Sequence, residues 1–365
     1  AKLRVIYNFT GGSGDGANPI GPLLIDDQGA LYGTTTAGGS ANNGTIFKIL
    51  PGGQESVLHV FTGTGGDGSL PVGGAIADKS GNLYGTTSGG GTNGLGIVFK
   101  LAPNGVETIL HTFQGVCCGS DGSFPYTSLL TDKHGNMYGT TMKGGTSSDL
   151  GTVFLVIPAG VENVVHAFSG MTDGSQPLLG LAMGKKHTLY GATGLGGAQN
   201  AGVVFRMKLD GTETVLHQFG TGSAGQFAKG WIALADRGAL SGNPEEGGGS
   251  ANAGIVYKVD DNGVETILHV FNGADGQNPA SVILIGTDLY GVTSFGGANS
   301  DGTIFKIAAN GAFSVLHSFS GTDGREPTCP LVADSDGNLY GTTIGGGTNS
   351  SGVVFKLHLK KKKND

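Results

Sequence analysis

Six histidines recur in one register, His59, His111, His166, His217, His269 and His317, and Tyr7 holds the corresponding place near the start of the chain. A second series consists of six Asp-Gly pairs, at Asp15, Asp67, Asp121, Asp173, Asp275 and Asp323, each in the pattern Asp-Gly-x-x-Pro. Imidazoles and carboxylates bind cations and move protons. A ring of either type invites a metal reading, and a ring of carboxylates also suits sugar hydroxyls. Against this, both series keep step with a longer repeat, and residues that repeat with an architecture commonly serve it. Histidines spread around a rim cannot converge on one ion, because Zn–N bonds are only about 2 Å long. The expectation is that the histidines cap or hydrogen-bond the rim and that no metal is held. Each Asp-Gly-x-x-Pro is expected to close a turn and set the entry to the next strand. The sequence contains no twelve-residue calcium loop.

The repeat that carries these residues is marked by Tyr-Gly at Tyr32, Tyr84, Tyr138, Tyr190, Tyr290 and Tyr340, with a degenerate copy at Leu240-Ser241-Gly242. The spacing defines seven units of about fifty residues. Each unit has four short strand-like pieces, which in unit 2 read PVGGAIAD, NLYGTTS, GIVFKLA and ETILHTF. They are rich in β-branched and aromatic residues and are separated by Asn, Asp and Gly turns. Glycine accounts for 72 of 365 residues without a Gly-X-Y period, which excludes collagen and works against helices.

One four-stranded meander cannot bury both of its faces, but several stacked radially can. The expected fold is all-β, a seven-bladed β-propeller of four-stranded antiparallel blades. Residues 3–9 align with the fourth piece of a unit, and the chain ends after a third piece. The ring is therefore expected to close by pairing the N-terminal strand 2–9 with the C-terminal blade 327–357. Residues 1–359 would form this one propeller, and residues 360–365 a disordered Lys-rich tail. Within LYGTT, the glycine is expected to make room for an aromatic residue of a packed neighbour.

The recurring phrase LYGTTxxGGxxxxGxVFKL…ETVLHxF…DGxxP resembles the GloVer tandem repeat of bacterial proteins, many of them secreted or surface-anchored. Its DxxGNxY junction is similar to NHL-type propeller repeats. That similarity implies that the Pro-led piece is innermost and the His-x-Phe piece outermost. The resemblance brings no chemistry with it.

Unit 5 breaks the pattern. In GQFAKGWIALADRGALSGNPEEGGGS it loses Asp-Gly, Pro and Tyr, and it gains Lys229, Trp231, Arg237, Glu245 and Glu246. Trp231 is the only tryptophan, at a position occupied elsewhere by Pro22, Gly74, Ser128, Gly180, Val282 and Pro330. An indole beside charge suits stacking on a sugar or aromatic ligand, and it equally suits plugging a channel. Candidate ligand-binding residues are Trp231, Lys229, Arg237, Glu245, Glu246, Tyr126 and Arg325. Cys117 and Cys118 are adjacent in a long loop, either as a vicinal disulfide or as two free thiols. Cys329 reads as a small core residue.

The net charge of −7 argues against a nucleic-acid surface, and no run of 18 apolar residues spans a membrane. The start at Ala1 is what a trimmed secreted chain would show. No Ser-His-Asp set, phosphate loop or dinucleotide fingerprint is present, and no cofactor is expected. The leading expectation is an extracellular or cell-surface module, not an enzyme, that binds a glycan or a protein on the loop face. A polysaccharide lyase is the alternative by analogy of fold, and a structural surface or filament protein is a further one.

Overall fold

Alternation of large apolar and small residues gives each short segment two buried faces. In Thr45–Ile49, TIFKI, every side chain but that of Lys48 is buried. Four such segments pair antiparallel in chain order, as Ile76–Ala77, Leu83–Thr87, Ile97–Leu101 and Glu107–Thr112 do in unit 2. The computed structural model describes residues 1–118, 121–178, 180–220, 226–228, 233–234, 240–242, 244–246 and 251–359. Among these residues, units 1, 2, 3, 4, 6 and 7 each form a blade of this kind, and the chain is an all-β β-propeller. Unit 5 contributes Ala233–Leu234, Leu240–Gly242, Ile255–Val259 and Glu265–Val270 in the same order. The Pro-led piece is innermost and the His-x-Phe piece outermost, as the blade order of the resemblance implied.

Lys2–Asn8 runs antiparallel to Val353–His358 and forms the outer strand of the last blade. The first strand of the chain thereby completes the sheet begun by its last unit, as the sequence suggested. Phe9 anchors this strand. It is fully buried, its N–H donates to the Gly352 carbonyl at 3.1 Å, and its ring meets Phe47 of unit 1 edge-on at 5.0 Å.

The same aromatic contact joins successive sheets. The Phe of each His-x-Phe packs on the third-strand aromatic of the next unit, in Phe61–Phe99, Phe113–Phe154, Phe168–Phe205, Phe219–Tyr257, Phe271–Phe305 and Phe319–Phe355. The Tyr of LYGTT also joins the core shared with the following blade: Tyr32 packs against the cluster that holds Leu83, Phe99 and Leu101, and Tyr340 belongs to the cluster that holds Leu23, Leu31 and Phe47. The glycine after it stands opposite the third-strand aromatic of its own blade, as in Gly139↔Phe154. A Cβ there would lie 2.5 Å from Phe154 Cζ. The expected space-making role holds, and the neighbour served is the adjacent strand. Near the axis, Thr34 and Thr86 donate to the Gly73 and Thr127 carbonyls of the next unit, each at 3.1 Å. Cys329 is a buried free thiol there, in contact with the Ile20 carbonyl.

Two outcomes follow for stability. Deleting residues 1–9 exposes the edge of Val353–His358 and empties the Phe9 pocket, so thermal melting should fall by several degrees or more, and Phe9→Ala alone should cost about 3–5 kcal/mol in denaturant unfolding. Unchanged melting of the truncated chain would mean that the first strand does not hold the ring. Gly139→Ala should cost about 1–3 kcal/mol by overpacking against Phe154, and a neutral effect would refute the space-making role.

Candidate functional site

The loop face is built from the connections between outer and next inner strands and from those between second and third strands. Here six units carry one left-handed residue just before the proline. In unit 1, Gly16, Ala17 and Pro19 pair in one register with Gly38, Ala37 and Thr35 of the second strand, and Asn18 lies between them. Asn18, Leu70, Phe124, Gln176, Asn278 and Glu326 all adopt positive φ, at 55°, 56°, 56°, 53°, 51° and 56°. Left-handed backbone is costly for Leu and Phe, so something must hold it. The N–H of each residue donates to a carbonyl of the preceding unit: Asn18 to Ser351, Leu70 to Asn43, Phe124 to Leu95, Gln176 to Leu150, Asn278 to Ala253 and Glu326 to Asp301, at 2.8–3.0 Å. The strained residue is thus a main-chain stitch between neighbouring blades. Its backbone is the same at all six places, while its side chain is Asn, Leu, Phe, Gln, Asn or Glu. Leu70 is 47% exposed, and Val116 and Tyr126 are also exposed on this side of units 2 and 3.

The two sequence series meet at the outer rim. The Asp-Gly carboxylates do not form an open ring. Asp15 is buried and accepts from the Thr10 N–H at 2.7 Å, the Thr10 hydroxyl at 2.9 Å and the Tyr7 hydroxyl at 3.1 Å. In the other units the partner is the recurring histidine, with His111–Asp121 at 2.9 Å, His166–Asp173 at 3.3 Å, His269–Asp275 at 3.0 Å and His317–Asp323 at 2.9 Å. A bulge in the outer strand pair aims each imidazole at the loop: Phe47 pairs with Val57 and Ile46 with His59, leaving Leu58 out of register.

A third member, from the following blade, had no part in the sequence reasoning. The Glu that opens ETxLH reaches back across the seam. Glu107 approaches His59 at 3.7 Å, Glu213 approaches His166 at 3.6 Å, and Glu265 approaches His217 at 3.7 Å. The donor atoms of His59, Asp67 and Glu107 lie within 4.8 Å of one another, as do those of His111, Asp121 and Glu162, and of His166, Asp173 and Glu213. The recurring Glu four residues before five of the six histidines was visible in the sequence. That it serves the histidine of the preceding unit was not, because this contact spans the gap between blades. Units 6 and 7 lack it, with Phe313 and Leu3 at the Glu position, and His269 stacks flat on Phe313 at 3.6 Å.

Of the expected ligand residues, Tyr126 lies exposed at the inner strand of unit 3, and Arg325 lies exposed in unit 7, bridged through its backbone to Gly345. They belong to different blades. Lys229, Trp231 and Arg237, and the tail at 360–365, fall outside the described residues. Glu245 and Glu246 belong to the strand Pro244–Glu246, and Cys117 and Cys118 to the short helix Gly115–Cys118. The side chains of these four residues are likewise outside the description, and with them the disulfide. On the opposite face, clefts open between blades, one of about 550 Å³ lined by Ile76, Asp78, Lys79, Tyr84 and Asp132. The polar groups there serve their own turns, since the Tyr84 hydroxyl and the Asn82 amide both donate to Asp78.

With the repeat geometry established, its relatives can be placed. The Gloeobacter/Verrucomicrobia repeat matches residues 1–118, 67–252 and 233–364. The chain belongs to this repeat family. No curated protein matches it in sequence. Among solved structures, it is similar to a streptogramin B lyase at 14% identity, covering 98% of each chain with a TM-score of 0.67. It is also similar to the PQQ-bound aldose sugar dehydrogenase of Streptomyces coelicolor at 14% identity, covering 97% of each chain with a TM-score of 0.50. At this identity the likeness is one of fold. No helix among the described residues is long and apolar enough to cross a membrane.

The rim glutamates of this repeat protein are electrostatically unusual. Burial pushes Glu55, Glu107 and Glu162 up to about 7 and Glu213 up to about 8. The neighbouring aspartates add to the rise, and His59 and His111 oppose it at Glu107 and Glu162. One carboxylate oxygen of each of these residues is buried without a hydrogen-bond partner. Glu55 faces Asp15 and Tyr7, whose hydroxyl is pushed up in turn by burial and by both carboxylates. A folded pKa raised from 4.5 to about 7 means that the contribution of Glu55 is present below the lower value and is lost as pH rises through the higher one. Glu55→Gln should therefore gain melting temperature relative to the parent between about pH 5 and about pH 8. A constant difference across that range would show that Glu55 is ionised at both ends.

Proposed function

We propose that this chain is a seven-bladed propeller acting outside the cell as a binding module, not an enzyme, that takes a glycan on its loop face. The count of seven is supported by the aromatic pairs Phe219–Tyr257 and Phe271–Phe305, at 5.1 and 5.3 Å, which lead into and out of unit 5 as the others lead between blades. The binding reading rests on one observation. Six left-handed residues share one backbone conformation and present Asn, Leu, Phe, Gln, Asn and Glu side chains on one face. A rigid scaffold that varies only what it displays is how loops carry recognition. The displayed set includes amides at Asn18, Gln176 and Asn278, a carboxylate at Glu326, and aromatic rings at Phe124 and Tyr126. Amides and carboxylates hydrogen-bond sugar hydroxyls, and ring faces stack on sugar faces.

Affinity electrophoresis through gels that each contain one neutral or acidic polysaccharide tests this reading. At least one polysaccharide should retard the parent chain, and Tyr126→Ala and Trp231→Ala should weaken that retardation about tenfold in apparent affinity, equivalent to one lost stacking contact of about 1.4 kcal/mol. Retardation by none of the panel, or retardation unchanged in both variants, would overturn it. Release of an unsaturated sugar product, seen by ultraviolet absorbance, would replace it with a lyase.

A further inference from the structure

We propose that the interblade cluster of His166, Asp173 and Glu213, with its copies at His59–Asp67–Glu107 and His111–Asp121–Glu162, is a binding site for a divalent transition-metal ion of the zinc type that clamps adjacent blades together.

The argument starts from Glu213. Its side chain is 9% exposed, and its Oε1 atom is buried with no hydrogen-bond partner. A buried carboxylate oxygen without a donor costs free energy unless a proton or a cation satisfies it. The other oxygen of the same carboxylate, Oε2, faces a ligand set. Asp173 Oδ2 and Glu213 Oε2 lie 3.3 and 3.6 Å from His166 Nε2. With metal–ligand bonds of about 2.0–2.2 Å, the edges of a coordination tetrahedron are about 3.3–3.6 Å long. The two edges at His166 therefore already have the right length. One imidazole with two carboxylates carries two negative charges when the histidine is neutral, which a divalent ion matches. The nitrogen donor favours a zinc-type ion over calcium or magnesium, which prefer oxygen. Asp173 is held for this task, since its other oxygen accepts from the Ser169 hydroxyl at 2.6 Å and from the Gly170 N–H at 3.0 Å. Outer hydrogen bonds of this kind orient metal ligands.

The same protein supplies its own comparison. In units 6 and 7 the glutamate is absent, and His269–Asp275 and His317–Asp323 close to direct hydrogen bonds of 3.0 and 2.9 Å. In the copy at His59, both Asp67 and Glu107 stand off at 3.7 Å, and His59 Nε2 is itself buried without a partner. The copy at His111 keeps the Asp contact at 2.9 Å, while Glu162 retains a buried, unpartnered oxygen. Buried polar atoms without partners thus gather where the third ligand is present. Because histidine and aspartate come from one blade and its outgoing loop, and glutamate from the next blade, a bound ion would add a bond across the seam.

The chain of residues 1–365, freed of metal by chelator and dialysis, is titrated with zinc chloride and separately with magnesium and calcium chloride by calorimetry, with melting followed in parallel. Glu213→Gln and the triple variant Glu107→Gln/Glu162→Gln/Glu213→Gln keep side-chain shape and are checked for folding by circular dichroism. His134→Ala/His358→Ala serves as a control for exposed histidines. The parent should take up about three zinc ions, one per cluster, and melt several degrees higher with zinc. Glu213→Gln should lose one equivalent, and the triple variant should lose all three together with the melting shift. Cobalt should give the visible absorption of a four-coordinate site in the parent and not in the triple variant. No zinc uptake by the parent, equal uptake and shift in the triple variant, or loss of uptake in the surface-histidine control would each overturn the proposal.

Discussion

Each sheet of this protein is apolar on both faces and only four short strands wide, so it must be covered on both sides by something of the same shape. The simplest cover is another copy of itself. The covering is done by large rings: the Phe of each outer strand lies edge-on against the third-strand aromatic of the next unit, and the second-strand Tyr packs into the same seam. Edge-to-face contact between buried rings combines large area with a preferred angle, so it sets the rotation between neighbours as well as their attraction. Glycine opposite the aromatic follows from this, since the ring can lie flat across its own sheet only where no Cβ stands in the way.

A stack of two-faced sheets has two raw ends unless it closes. The chain closes it by lending its first strand to its last sheet, so the seam between the ends is made of the same ladder bonds and the same Phe9–Phe47 contact as every other seam. The inner ends are secured differently. There, in six of the units, the backbone accepts a left-handed conformation so that one N–H can reach the preceding blade. Because main-chain atoms make that stitch, the side chain is free to change without loosening the ring. The loop face can therefore vary on a fixed frame.

The outer rim is held by polar groups and is under greater electrostatic tension. Asp, His and Glu converge in a region partly closed to water, and the buried glutamates bear the cost of that convergence. The two units that replace Glu with Phe313 or Leu3 resolve the same position with apolar or stacked contacts. Hydrophobic packing suffices there, which makes the retained carboxylates of the other units the more informative feature.

Much of this was legible in the sequence alone. The fifty-residue period, the four strand-like pieces, the closure by residues 2–9 and a space-making glycine in LYGTT follow from local patterning, because period-2 alternation and turn residues act on neighbours in the chain, whereas the inner-to-outer strand order came from the resemblance to NHL-type repeats. The separate series of histidines and aspartates were visible too, and both were rightly read as parts of the rim and its loops. Tertiary structure alone decided that His59 meets Asp67 and also Glu107, and that the residue before the proline of each Asp-Gly-x-x-Pro turns left-handed. These are relations between blades. Their geometry is set by the rotation of one packed sheet against the next, and no spacing along a single strand encodes that rotation.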